Sequence, residues 1–239
     1  MNDDALRAQL LAARTLARTG TGIDAESAYD TVHRARPDSA EAAIALARIA
    51  AERGSLERGE SVLATAFRLN PEHEMLAVEL AVARANRDQL GPAIEGLRAF
   101  VERLPGSPLA WLLLGQMLDD AGRRQPALLA RFEAVTRAHA AGVWRRPSET
   151  PPHLAGLVKA AVADVHLHRR DVFFGIVEPL RREHGPSALK RIDRALNAYM
   201  AVPAVLPPDA MQRPRFFYFP DLPTLPYIDP YLQPWAHRF

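Results

Sequence analysis

Cysteine is absent from this 239-residue sequence, which excludes disulfides, thiolate metal sites and cysteine nucleophiles. Lysine is almost absent as well, since Lys159 and Lys190 are the only two, and arginine supplies nearly all of the positive charge. The net charge is only +2, and acidic residues are interspersed with basic ones, which argues against a nucleic-acid partner. The abundance of arginine and alanine is typical of a protein encoded by a GC-rich genome.

Long apolar runs are also missing. No stretch approaches the roughly 18 uninterrupted apolar residues of a membrane span. The first residues include two acidic side chains, Asp3 and Asp4, whereas a secretory signal peptide begins with basic residues. We therefore expect a soluble, cytoplasmic protein with no membrane partner, and the 48% hydrophobic content is enough to form a sizeable core.

The usual signatures of chemistry are missing too. There is no Gly-rich phosphate loop and no Gly-x-Ser-x-Gly turn. None of the 8 histidines begins a His-x-Asp or His-x-Glu. His166 and His168 lie two apart, and on a helix their side chains point about 200° apart. Asp119 and Asp120 fit solvated helix positions better than an acid/base pair. We predict no catalytic, cofactor-binding or metal-binding residue in this chain.

The strongest feature present is an internal period of 34 residues. Prolines mark it at Pro37, Pro71 and Pro105, and this spacing is the length of a tetratricopeptide repeat. Three further columns keep the same spacing: Leu46, Leu80 and Leu114; Ala13, Ala47, Ala81 and Gly115; and Ala25, Gly59, Ala93 and Ala127. Two helices can approach closely where small residues face each other, so the small-residue columns predict the contacts within helical hairpins.

The fourth copy carries the family pattern most clearly, with Trp111-x2-Leu114-Gly115-x2-Leu118 followed by Gly122 and Ala127. Residues 6–140 therefore resemble the tetratricopeptide family over four repeats. The first copy departs from the pattern at Gln9, Ala12 and Leu16, and the fourth ends at His139 instead of proline. Terminal repeats are often atypical because they cap the stack.

Beyond the repeats, residues 140–152 break helical periodicity and read as a connector. Three more helices are expected at about 153–168, 170–184 and 187–201, the second ended by Gly185 and the third begun by Pro186. We treat 153–201 as additional capping helices. The predicted fold class is all-α, a tetratricopeptide-type helical solenoid with extra C-terminal helices and an extended tail rich in proline and aromatic residues, at 202–239.

The tail contains one further pattern. Prolines recur from Pro203 to Pro234, and only 215–219, Arg-Phe-Phe-Tyr-Phe, has the composition of a strand. The segments 212–223, 226–230 and 233–235 resemble the lead into the catalytic domain of the aspartyl/asparaginyl β-hydroxylase family. Bacterial members of that family often carry tetratricopeptide-like helices just ahead of it, so the order of segments agrees.

This second resemblance implies iron(II) and 2-oxoglutarate as cofactors of a complete member, which hydroxylates aspartyl or asparaginyl side chains on a double-stranded β-helix. The sequence ends at Phe239, ahead of any such β-helix, so no catalytic residue can be assigned and no cofactor is expected in this chain. Two functions stay open. One is the interaction or scaffold region of such a dioxygenase, and the other is a stand-alone tetratricopeptide adaptor.

Either function needs a partner surface, namely a protein or peptide in the groove or an attached catalytic domain. The first helix of each hairpin usually lines the concave side of such a solenoid. Helical spacing places seven candidate contacts there: Ile44, Arg48, Val78, Val82, Leu112, Gln116 and Asp119. Their apolar stripe could equally be covered by the later helices or the tail of the same chain.

We expect purified residues 1–239 neither to consume 2-oxoglutarate nor to bind iron(II) tightly, because no ligand set is recognisable. Succinate release in the presence of iron(II) and a peptide rich in aspartate and asparagine measures this. Turnover above a no-protein control would contradict the expectation.

Overall fold

The computed structural model describes residues 3–19, 22–144 and 146–200. These residues form eleven α-helices, a short 3-10 turn at Pro147–Glu149 and no strand. The helices are α1 Asp3–Thr19, α2 Gly22–Ala35, α3 Ala40–Glu52, α4 Leu56–Leu69, α5 Glu74–Ala85, α6 Leu90–Arg103, α7 Pro108–Asp120, α8 Arg124–Ala141, α9 Pro152–Leu167, α10 Arg169–His184 and α11 Lys190–Met200.

From α1 to α9 each helix packs against the next along the chain, and the turns between them are short up to α8. A short connection makes neighbouring helices antiparallel. The first helices of successive hairpins also touch, because α3 contacts α5 and α5 contacts α7. Sequentially stacked helical hairpins are the architecture of a tetratricopeptide-type solenoid, so the predicted fold class is confirmed. The predicted tail, 202–239, lies outside the described residues.

The small-residue columns lie where the paired helices approach most closely. All eight positions, from Ala13 to Ala127, are buried. A Cβ atom added to Gly59 would lie 3.2 Å from the Ala47 carbonyl oxygen, and one added to Gly115 would lie 2.9 Å from Arg131 Cγ and 3.3 Å from the Ala127 carbonyl oxygen. There is therefore little room for even a methyl group at Gly59 and Gly115, as the small-residue columns predicted.

The predicted proline column separates the repeats. Pro37, Pro71 and Pro105 each lie in the turn before a first helix. A column that the sequence reasoning missed lies two residues further on. Ser39 and Ser107 accept hydrogen bonds from the backbone N–H of Ala42 and Ala110, at 3.4 and 3.1 Å, and His73 Nδ1 caps α5 in the same way. The first helices of the second, third and fourth repeats thus each begin on a side-chain cap.

Ion pairs that recur with the repeat connect successive hairpins. Glu26 on α2 binds Arg53 and Arg58, and Glu60 on α4 binds Arg87 one repeat later. Glu26 and Glu60 are 34 residues apart, as are Arg53 and Arg87. The arginines are partly exposed, so each pair adds little stability. Because the pairs recur with the repeat, successive hairpins meet through equivalent side-chain contacts.

The chain divides into two compact units, Met1–His168 and Arg169–Phe239. The first unit includes α9, because Val158 and Ala161 pack with Leu112 and Ala134 in one buried cluster. The segment 153–201, which the sequence grouped as one set of capping helices, is therefore split after α9.

In the second unit, Arg181 on α10 binds Asp193 on α11 at 2.5 Å. The three helices expected after the connector are present as α9, α10 and α11. Gly185, at φ 79°, follows the end of α10 as predicted. Pro186 does not begin α11, because residues 186–189 form a turn and the helix begins at Lys190.

Replacing Gly115 with alanine should lower the free energy of unfolding by about 1–3 kcal/mol, because the new methyl group meets the α8 backbone. Gly156 is the matched control. It lies within α9 with nothing within 4 Å of an added Cβ, and Gly156→Ala should stabilise the protein by up to about 1 kcal/mol. Urea denaturation followed by circular dichroism measures both. Equal stabilisation by the two substitutions would show that α7 and α8 do not approach closely.

Candidate partner-binding face

The seven predicted contacts lie on α3, α5 and α7, the first helices of the second to fourth repeats. Ile44, Val78 and Leu112 are one repeat apart, and so are Arg48, Val82 and Gln116. Because these three helices touch in order, equivalent positions lie side by side along the stack. We call this surface the first-helix face.

Burial of the first column rises along the stack. Ile44 is half-buried, Val78 is 6% exposed and Leu112 is 3% exposed. Leu112 is covered by α9, which packs on both α7 and α8. Val78 and Leu112 are therefore core residues and offer no free surface to a partner. This corrects the part of the prediction that treated them as partner contacts.

The second column is accessible at its first two positions, Arg48 and Val82. The Arg48 side chain is 63% exposed and binds Glu79 on the next first helix. A similar pair joins Arg14 on α1 to Glu41 on α3 at 2.5 Å. Val82 is half-buried on α5. The accessible part of the first-helix face thus combines apolar surface at Ile44 and Val82 with paired charges at its edge.

Gln116 and Asp119 belong to a polar network at the end of the face. Arg131, on α8, is 6% exposed and donates to Asp119 Oδ2 at 2.8 Å and to Asp164 on α9. Arg124 donates to Asp119 Oδ1 at 3.2 Å and also to Asp164. Two arginines and two carboxylates from α7, α8 and α9 thus alternate in one cluster, which we call the α9 clasp.

The carboxylates of the α9 clasp are held in the charged form. Burial raises the pKa of Asp119 and of Asp164, but the hydrogen bonds and charges of Arg131 and Arg124 outweigh it. The pKa of each carboxyl therefore lies below its usual 3.8. His168 Nδ1 lies 3.2 Å from Asp164 Oδ1 and adds a further contact. The clasp binds α9 to the fourth repeat and closes this end of the first-helix face.

Sequence reasoning missed the arginine at the centre of the clasp, although a signal was present. Arg131 occupies the column of Tyr29, Leu63 and Leu97, which are buried one repeat apart. A basic residue in an apolar column indicates a buried charge with partners elsewhere. Asp164 had no comparable signal, because the long connector takes α9 out of the 34-residue register.

The described residues contain no group of three or more histidine, aspartate or glutamate side chains placed to hold a metal ion. None of the described helices is long and apolar enough to cross a membrane. Trp111 packs against the core of the third and fourth repeats and against the cluster that includes α9, and its Nε1 donates to the Pro105 carbonyl oxygen at 3.0 Å.

No protein-family model matches the chain, and no curated protein matches it. Solved structures of MamA are similar in fold. MamA from residue 41 to its end, from Desulfovibrio magneticus RS-1, has 19% identity and a TM-score of 0.49 over 77% of this chain and 98% of that one. A crystal structure of MamA has 19% identity and a TM-score of 0.47 over 71% and 96%.

Replacing Asp164 with asparagine should lower the free energy of unfolding by roughly 2–3 kcal/mol at neutral pH, because the buried Arg131 then keeps only Asp119 as a charged partner. The folded-state pKa of Asp164 is depressed, so its contribution is complete above the unfolded pKa and is lost as pH falls through the folded one. The difference between wild type and variant should therefore shrink below about pH 4.

Glu149→Gln is the control, since Glu149 lies 3.9 Å from an Arg146 side chain that is 78% exposed. This change should stay within about 0.5 kcal/mol. Urea titrations from pH 3 to pH 7 measure all three proteins. An Asp164→Asn effect as small as that of the control, or independent of pH, would show that the clasp does not bind α9.

Proposed function

We propose that this chain is a protein-interaction scaffold that holds a partner segment against the open part of the first-helix face. The observation that supports the proposal most is the arrangement of α3 and α5. Their side-by-side contact places half-buried Ile44 and Val82 on a shared strip beside the Arg48–Glu79 pair. Partly exposed apolar surface with charges at its edge is typical of a protein-binding groove.

The α9 clasp defines where the groove ends. Leu112 is covered, and Gln116 and Asp119 are engaged with Arg131 on α8. A partner segment therefore has free surface on α3 and α5, and only the edge of α7 is available to it. At about 9 Å between neighbouring helix axes, this strip accommodates a short peptide or a few turns of one helix.

The finer assignment is that the scaffold precedes a dioxygenase catalytic domain of the aspartyl/asparaginyl β-hydroxylase type. Its support is the order of repeats followed by the segments at 212–235, which lie outside the described residues. The stand-alone adaptor fits the first-helix face equally well. The DNA that follows codon 239 distinguishes the two functions. A reading frame that encodes a β-rich segment with His-x-Asp and a later histidine supports the hydroxylase. Unrelated sequence supports the adaptor.

A photoreactive benzoylphenylalanine at position 48 tests the scaffold proposal, because the Arg48 side chain is exposed on the face. In extract from cells that make the protein, we expect a specific cross-linked product from position 48. Position 98 on α6 is the matched control, since Arg98 is exposed on a second helix. Adding Val82→Glu should reduce the product from position 48 at least fivefold, because it places a charge on the apolar strip. Equal products from both positions would contradict the proposal.

A further inference from the structure

A separate cavity of about 430 Å³ lies between α9 and the described part of the connector, residues 142–144 and 146–151. Its volume is within the range of binding pockets. It is distinct from the first-helix face and from the α9 clasp, since it shares no residue with either. Its lining consists of Trp144, Arg146, Thr150, Ala155, Val158, Lys159, Val162 and Ala163.

The interior of this connector pocket is apolar. Val158 is buried, and Trp144 and Val162 are half-buried side chains that pack against the Leu112 and Ala134 cluster. The one hydroxyl in the lining, on Thr150, already donates to the Arg146 carbonyl oxygen at 3.3 Å. A ligand group that enters the interior thus meets mainly apolar side chains.

Trp144 is held in place at one wall. Its φ is 55°, an unusual backbone conformation for a bulky residue, and it costs about 1–3 kcal/mol. The preceding turn is fixed, because the Val143 N–H donates to the Ala138 carbonyl oxygen at 2.9 Å and closes the end of α8. The indole ring of Trp144 therefore lines the pocket although its backbone conformation is unfavourable.

The rim of the pocket is cationic. Arg146 and Lys159 both line it and both are exposed, and the contact of Arg146 with Glu149 is long, at 3.9 Å. Among the described lining residues there is no carboxylate to balance these two charges. Lys159 is one of only two lysines in the whole chain. An apolar interior with a cationic rim selects a ligand with an apolar group next to negative charge.

We propose that the connector pocket is a second docking site, for an acidic peptide segment of a partner protein that inserts one bulky apolar side chain. A small organic anion fits less well, because both cations lie at the open rim, where a single carboxylate stays hydrated. An apolar anchor in a pocket with charged contacts around it is the arrangement of an interface hot spot. This proposal does not depend on the first-helix face.

The test uses the full chain labelled with 5-fluorotryptophan, so that Trp111, Trp144 and Trp235 can be followed by ¹⁹F NMR. The probe is a synthetic nine-residue peptide with one central leucine between aspartates. We expect it to shift the Trp144 resonance and to leave Trp111 unchanged. A peptide with serine in place of leucine, and one with asparagine in place of aspartate, should each bind at least tenfold more weakly.

Two variants should weaken binding of the leucine peptide at least tenfold: Lys159→Glu, which reverses a rim charge, and Ala163→Phe, which fills the pocket. Both positions are exposed, and an unchanged Trp111 resonance reports that the variants fold. Arg98→Glu is the matched control and should change the dissociation constant less than twofold.

Three results would overturn the proposal. One is a Trp144 resonance that responds neither to the peptide nor to a soluble paramagnetic agent, which shows that the chain itself covers the pocket. The second is binding that the two variants leave unchanged. The third is naphthoate binding at Trp144 as tightly as the peptide, which identifies a site for small anions.

Discussion

The close approach of paired helices at small residues is the constraint on which the rest of the solenoid depends. At Gly59 and Gly115 an added Cβ atom would lie about as close to the facing helix as atoms can come. Alanine occupies the equivalent positions in the third repeat, where Ala81 and Ala93 are buried in one core cluster. With each hairpin held at this spacing, its first helix reaches the first helix of the next, and a continuous face results. Larger residues in these columns would separate the helices and remove that face.

The fourth repeat shows how one substitution changes the end of the stack. Where the earlier copies bury Tyr29, Leu63 and Leu97, it has Arg131, and a buried guanidinium requires carboxylates. Asp119 provides one within the repeat, and Asp164 provides the other from α9. The ion pairs thus bind a helix, α9, that lies outside the repeat register. Val158 and Ala161 on that helix cover the apolar side chain of Leu112. The open part of the first-helix face is limited to the middle repeats as a result.

The sequence predicted the parts of the fold that depend on periodic local contacts. The prolines, the small residues and the leucines at 46, 80 and 114 all follow a 34-residue spacing, and each column has a mechanical role in the structure. The caps at Ser39, His73 and Ser107 could have been found in the same way. The covering of Leu112 could not, because it depends on where α9 packs after an irregular connector. The candidate site was predicted on α3, α5 and α7, and two of its residues, Val78 and Leu112, are buried in the structure.

Hydrogen exchange measured by mass spectrometry on the wild type and on Gly59→Val tests the central claim most directly. A branched side chain at this position forces α4 away from the Ala47 backbone, and repeat proteins transmit such damage mainly to their neighbours. We expect amide protection to fall most in α3 and α4, less in α5 and α6, and least in α10 and α11. Unchanged protection in α3 and α4 would contradict the claim that contacts between small residues hold each hairpin together.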